Sequence, residues 1–201
     1  PSRDSRCSGV ASLSLPLVSR AQSWDSRNIV SVRELSIPSK ALHAYQNGIQ
    51  RLAKDDPAGS LPYFQRAVAE FNTDYEAYFE LGLANLKLLR TVDAEQALRK
   101  SIDLSGGQYA EPLFALGVLL SYQENFSEGE EVIRKALNLN PTSWAGHYCL
   151  GWVLFAANRT EEAEESAREA LRWKPDSPGV WLLLADLHNR ERKYDALLKD
   201  L

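Results

Sequence analysis

From residue 41 onward the chain is organised by two kinds of apolar pattern that alternate. Residues 144–157, WAGHYCLGWVLFAA, are apolar at helical spacing, and the polar stretch NRTEE follows. Residues 161–173 then place Ala163, Ala167 and Ala170 four and three apart, with glutamate and arginine between them, until Pro175. The pattern predicts a helix, a turn and a second, amphipathic helix that stops before the proline. One residue resists this reading. Gly151 sits in the first helix, where glycine costs up to about 1 kcal/mol relative to alanine.

The same feature recurs along the chain. Gly48, Gly82, Gly117, Gly151 and Ala185 are spaced 34, 35, 34 and 34 residues apart. Twelve residues after each of the first four stands another small residue: Ser60, Ala94, Gly129 and Ala163. Seven further on come Ala67, Ser101, Ala136 and Ala170. Small residues in phase on paired helices let the two backbones approach closely, which would offset the helix penalty of the glycine. Ser127-x-x-Glu130 and Thr73-x-x-Glu76 have the form of capping boxes, and Pro57 and Pro178 suit first helical positions.

A unit of this length and pattern resembles the tetratricopeptide repeat (TPR) family over about residues 41–201. The match is best in 144–177, where Leu150, Gly151, Ala163, Ala170 and Pro175 all stand at family positions. Unit 110–143 follows with Leu116, Gly117, Phe126, Ala136 and Pro141, and unit 75–109 has one extra residue and Gly106-Gly107 in place of a proline. Unit 41–74 has Asn47 for the leucine, and its Pro62 predicts a second helix that starts a turn late, near Ser60. Unit 178–201 keeps Trp181, Leu184 and Ala185 but is incomplete, with a second helix one residue out of phase. The resemblance implies an all-α fold, a right-handed superhelix of about five helix–turn–helix units. Residues 38–201 form that domain, and residues 1–37 form an arm rich in Ser and Arg.

The arm has no period and reads as mostly disordered unless bound, apart from VSVREL (30–35), which alternates like a short strand. That lead-in resembles one found ahead of repeats in some bacterial extracytoplasmic TPR proteins. Basic residues ahead of GVASLSLPLV resemble a secretory signal faintly, but two serines and Pro16 favour a flexible arm. The absence of methionine suggests a processed piece, and a final unit that stops in mid-helix suggests that more chain follows or that another surface covers this end.

Composition narrows the function. The net charge of −4 gives no basic footprint for nucleic acid, and no apolar run is long enough to span a membrane. Cys7 and Cys149 are far apart and part of no metal-like spacing, so neither a disulfide scaffold nor a metal site is expected. His43, His147 and His188 sit in different units and read as packing or surface residues. Cys149, between Tyr148 and Leu150, reads as a buried hydrophobe. Glu161, Glu162, Glu164 and Glu165 read as a solvated helix face with Arg168 and Arg172 nearby. No nucleophile motif, phosphate loop or cofactor signature is present, so neither catalysis nor a cofactor is expected.

In the family, ligands lie on the concave side, which the first helix of each unit lines. Counted from the start of each unit, the fifth position gives Tyr45, Phe79, Phe114 and Tyr148, and the ninth gives Ile49, Leu83, Val118 and Trp152. Phe155, at the twelfth, extends the set. The resemblance implies an aromatic and aliphatic stripe along the groove, suited to an amphipathic helix or an extended apolar peptide. Tyr148, Trp152 and Phe114 would carry most of the binding energy. Lys and Asn, used at these positions by TPR proteins that clamp acidic chaperone tails, are missing.

The expected function is a non-catalytic protein-interaction scaffold or adaptor with a protein or peptide partner. The alternative is a regulatory or targeting TPR domain of a longer bacterial enzyme or secretion/assembly protein. Self-association through the arm or the open repeat ends is a further expectation, with the arm's VASLSLPLV folding back on the groove. The compartment, cytoplasmic or bacterial extracytoplasmic, stays open.

Overall fold

The structure is a computed structural model that describes residues 36–199. Among these it contains nine α-helices and no strand. They are α1 Ser39–Ala53, α2 Pro57–Glu70, α3 Tyr75–Lys87, α4 Thr91–Leu104 and α5 Ala110–Tyr122. α6 Phe126–Leu139, α7 Trp144–Ala156, α8 Thr160–Trp173 and α9 Pro178–Lys199 complete the set. Residues 1–35 of the arm lie outside the described residues, and with them the strand expected at 30–35 and the fold-back of VASLSLPLV.

Successive helices pair as α1 with α2, α3 with α4, α5 with α6 and α7 with α8, and each pair packs on the next. The small residues sit at the pairing contacts. A Cβ built on Gly48 would lie 2.6 Å from the Phe64 ring, and one on Gly82 would lie 2.8 Å from the Leu98 side chain. One on Gly151 would lie 3.1 Å from the Ala163 carbonyl oxygen. Phe64 against Gly48, Leu98 against Gly82 and Ile133 against Gly117 are fully buried. Burial of such a side chain stabilises by about 1.5–3 kcal/mol, more than a glycine costs in a helix.

The turn inside each unit is the same four times over. Asp55, Leu89, Glu124 and Asn158 have left-handed backbones with φ between 53° and 63°. At each, two backbone bonds of 2.9–3.1 Å close the first helix: Asp55 N to Leu52 O with Asp56 N to Arg51 O, and the equivalent pairs at Leu89, Glu124 and Asn158. This is the Schellman closure, which glycine normally serves because a Cβ is strained at positive φ. Here no glycine stands at any of the four positions. The extra residue of the second unit is accommodated differently, by Gly106 and Gly107 at φ 60° and 72°.

Helix starts differ from the sequence pattern in three places. Asp74, not Thr73, caps α3, its carboxylate accepting from the amides of Glu76 and Ala77. Ser127 lies inside α6, whose start is at Phe126, so the expected capping box does not form. Asp56 accepts from the Gly59 amide and starts α2 at Pro57, with Pro62 inside the helix instead of delaying it. Pro62 removes one bond to the Ala58 carbonyl on an exposed face, while Leu61 and Phe64 beside it stay buried. That burial outweighs a single missing solvent-facing bond.

The fifth unit also differs. α9 runs through from Pro178 to Lys199 as one helix, with no turn where the other units have one.

A polar ladder ties neighbouring units together. Glu95, Glu130 and Glu164 hold the same position in successive units and bind Arg99, Arg134 and Arg168 respectively, four residues on. Each also receives a group from the next unit: Gln123, Arg159 and His188. Gln123 and Arg99 together hold the Glu95 carboxyl below its ordinary pKa. Arg172 pairs with Glu169, not with the 161–165 cluster.

Candidate protein interface

The nine residues expected to line an open stripe divide sharply. Tyr45, Ile49, Phe79, Leu83, Phe114, Val118 and Tyr148 are all buried, between 2% and 6% exposed. Only Trp152 and Phe155 keep part of their surface open. As an exposed stripe, the set is therefore corrected at seven positions. The reason lies in how units stack. A Cβ on Gly146, at the start of α7, would lie 2.5 Å from the Phe114 ring, and one on Gly179 in α9 would lie 3.3 Å from the Tyr148 hydroxyl. The first helix of one unit thus covers the fifth-position aromatic of the unit before. Phe79 is closed in by Tyr109, whose ring is 5.4 Å away. Tyr45 packs edge-on to Phe64 with centroids 6.1 Å apart.

What remains open lies toward the C-terminal units. Trp152 stacks obliquely on the exposed Tyr122, with ring centroids 5.0 Å apart. Phe155 lies beneath the Arg190 guanidinium, 3.6 Å from its ring centroid. Arg190 is held there by bonds to the Phe155 carbonyl and the Asn158 side chain, at 2.8 and 2.9 Å. Tyr122 was not singled out by position counting, because it stands one residue beyond the twelfth position. It stands between Ser121 and Gln123, at the polar end of the helix's apolar run.

Among the described residues the histidines and Cys149 lie apart from one another. Burial pushes the Cys149 thiol up to about 12, so at neutral pH it is protonated and unreactive, as a packed hydrophobe would be. Desolvation raises Tyr148 to about 12, and Tyr122 likewise. His43 binds the Ser39 carbonyl, His147 the Pro141 carbonyl and His188 the Glu164 carboxylate, each in a different unit. Among the described residues no group of His, Cys, Asp and Glu is placed to hold a metal ion. No helix among them is long and apolar enough to cross a membrane.

Paired helices stacked in register, with small residues at each contact, define a helical repeat solenoid, a class whose members present surface to other proteins. The tetratricopeptide repeat family model matches residues 40–109 and 114–179, and the chain belongs to that family. Solved structures agree on the fold. The thermophilic TPR protein TTC0263 of Thermus thermophilus superposes with a TM-score of 0.70 at 23% identity, over 77% of this chain and 84% of that one. MamA (41-end) from Desulfovibrio magneticus RS-1 gives 0.64 at 16% identity, over 82% and 92%. PilF of Pseudomonas aeruginosa gives 0.66 at 22% identity, over 77% and 70%. No curated protein sequence matches the chain. The fold is that of a protein–protein interaction scaffold, and it implies protein partners.

Proposed function

We propose that this protein is a non-catalytic adaptor that takes a helical or extended apolar peptide segment on the concave side of its C-terminal units. The observation that carries the reading is the open aromatic group Tyr122, Trp152 and Phe155. Its rings are held in place by each other and by Arg190. Aromatic side chains fixed in this way lose little entropy on binding and commonly dominate interface energetics. Arg190 beside Phe155 adds a donor fork at one end of the group, suited to peptide carbonyls or a carboxylate. The buried members of the original set shape the floor of the groove and do not touch the ligand.

The test is selection of peptides from a displayed library on the intact chain, followed by affinities for the intact chain and for Trp152→Ala. Loss of tenfold or more, with helical content and melting temperature retained, supports the reading. Equal affinity would place the binding elsewhere on the solenoid.

A further inference from the structure

The groove side is more closed in the first three units than in the fourth. At the ninth position Ile49, Leu83 and Val118 are buried, whereas Trp152 is partly open. Each of these four units is followed by a further helix, so a missing neighbour does not make the difference. The second position gives a matched pair. Glu76 is 5% exposed, while Glu111, the same residue one unit on, is exposed. Glu80, one turn along α3 from Glu76, is 1% exposed where Ala115 and Cys149 stand in later units. Burial, and after it the charges of Glu111, Glu76 and Glu80, push the Tyr109 phenol up, which puts both buried carboxylates near that ring. Tyr109 in turn packs on Tyr75 and Phe79. A carboxylate taken this far out of water is stable only with a cation or hydrogen-bond donors against it. Arg51, Lys87 and Arg99 of these units are engaged with Asp56, Asp55 and Glu95.

We propose that residues 26–35 of this chain dock in the groove of the first units, with Arg33 set between Glu76 and Glu80. Charge and reach select this occupant. Residues 1–35 carry five arginines against two aspartates and one glutamate, a basic segment in a chain whose net charge is −4. Arg33 stands three residues before Ser36, which leads into α1 at Ser39. Tyr45, another neighbour of Tyr109, lies six residues into α1, about 9 Å from its start at the helical rise. Three extended residues span about 10 Å, and the arginine side chain adds to that, so Arg33 reaches the level of Tyr45 and Glu80. A guanidinium offers separate donors to two carboxylates and stacks on an aromatic ring such as Tyr109. Ile29, Val30 and Val32 supply apolar side chains to set against Ile49 and Leu83. The segment leaves Trp152 and Phe155 of the fourth unit open, so this inference and the peptide site stand or fall independently.

The test uses the intact chain. Arg33→Lys supplies an amine, and a carbodiimide should couple it to Glu76 or Glu80 as an amide, read by peptide mass spectrometry. Arg20→Lys, as a control, should not couple to either. Arg33→Glu should raise carbodiimide labelling of Glu76, measured against the exposed Glu111 in the same molecule, by about tenfold, because like charges hold the segment off. Failure of Arg33→Lys to couple to either glutamate overturns the proposal, and so does equal coupling by Arg20→Lys. A Glu76-to-Glu111 labelling ratio indifferent to Arg33→Glu overturns it as well. In a mixture of isotopically light and heavy chains, coupling found only between chains would assign the groove to a second copy and overturn it too.

Discussion

Gly117 and Gly129 face each other across α5 and α6 so closely that a Cβ on either would lie 2.7 Å from the other's carbonyl oxygen. A Cβ on Gly117 would also overlap the Ile133 side chain, so both backbone and side chain would have to move. At Gly151 the nearest approach is 3.1 Å, a distance that small shifts can absorb.

The two sites should therefore respond differently to the same change. Gly117→Ala forces the helix pair apart and should cost about 1–3 kcal/mol. Gly151→Ala trades a smaller clash against a gain in helix propensity of up to about 1 kcal/mol and should be close to neutral. Denaturant titration of both variants checks the order; equal effects would mean that the 117–129 contact is looser than its geometry.

Leu89 holds φ 58° with its side chain 67% exposed, so its strain is not offset by packing. Asparagine tolerates that backbone better. Leu89→Asn should raise stability by about 0.5–1 kcal/mol, part of the roughly 1–2 kcal/mol that a left-handed residue costs. The chemical denaturation midpoint is the measurement, and a lower midpoint would show that Leu89 makes a stabilising contact.

Alanine replacements should separate the buried aromatics from the open one. Phe114→Ala removes a fully packed ring and should destabilise by about 3–5 kcal/mol. Trp152→Ala should leave folding largely intact and weaken peptide binding by about 1–3 kcal/mol. Thermal melts and binding isotherms on the same preparations distinguish the two effects.

Alkaline pH should unfold the protein in a defined window. Cys149 titrates at about 12 in the folded chain against an ordinary value of 9.0, and Tyr148 at about 12 against 10.0. A folded pKa above the unfolded one means that stability is fully present below the unfolded value and is lost as pH rises through the folded one. Unfolding free energy should thus hold level to about pH 9 and decline toward pH 12. Cys149→Ala should flatten the first part of that decline, between about pH 9 and 10. In a Cys7→Ala background, a thiol reagent at pH 8 should label Cys149 only in denaturant.

Much of the architecture is readable from residue order, because what repeats is local. Glycine every 34 or 35 residues, and a second small residue twelve later, are determined by the closest approach of two helices within one unit, and the structure places them at those contacts. Pro57 and Pro178 start helices as their fixed φ suggests. Cys149 is buried as its apolar neighbours imply. The turns were harder to read, since Asp55, Leu89, Glu124 and Asn158 share a left-handed backbone but no residue type. That conformation is imposed by the two helices each one joins.

Tertiary structure alone decided which apolar residues stay open. Tyr148 and Trp152 are one helical turn apart on the same helix, and nothing in their sequence context separates them. Gly179 of the next unit covers one, while the other, packed on Tyr122 of the preceding unit, stays partly open. Exposure along a solenoid is settled by the neighbouring unit. A sequence period reports that a helix has an apolar face; what lies against that face depends on residues some thirty positions away, and only packing brings them together.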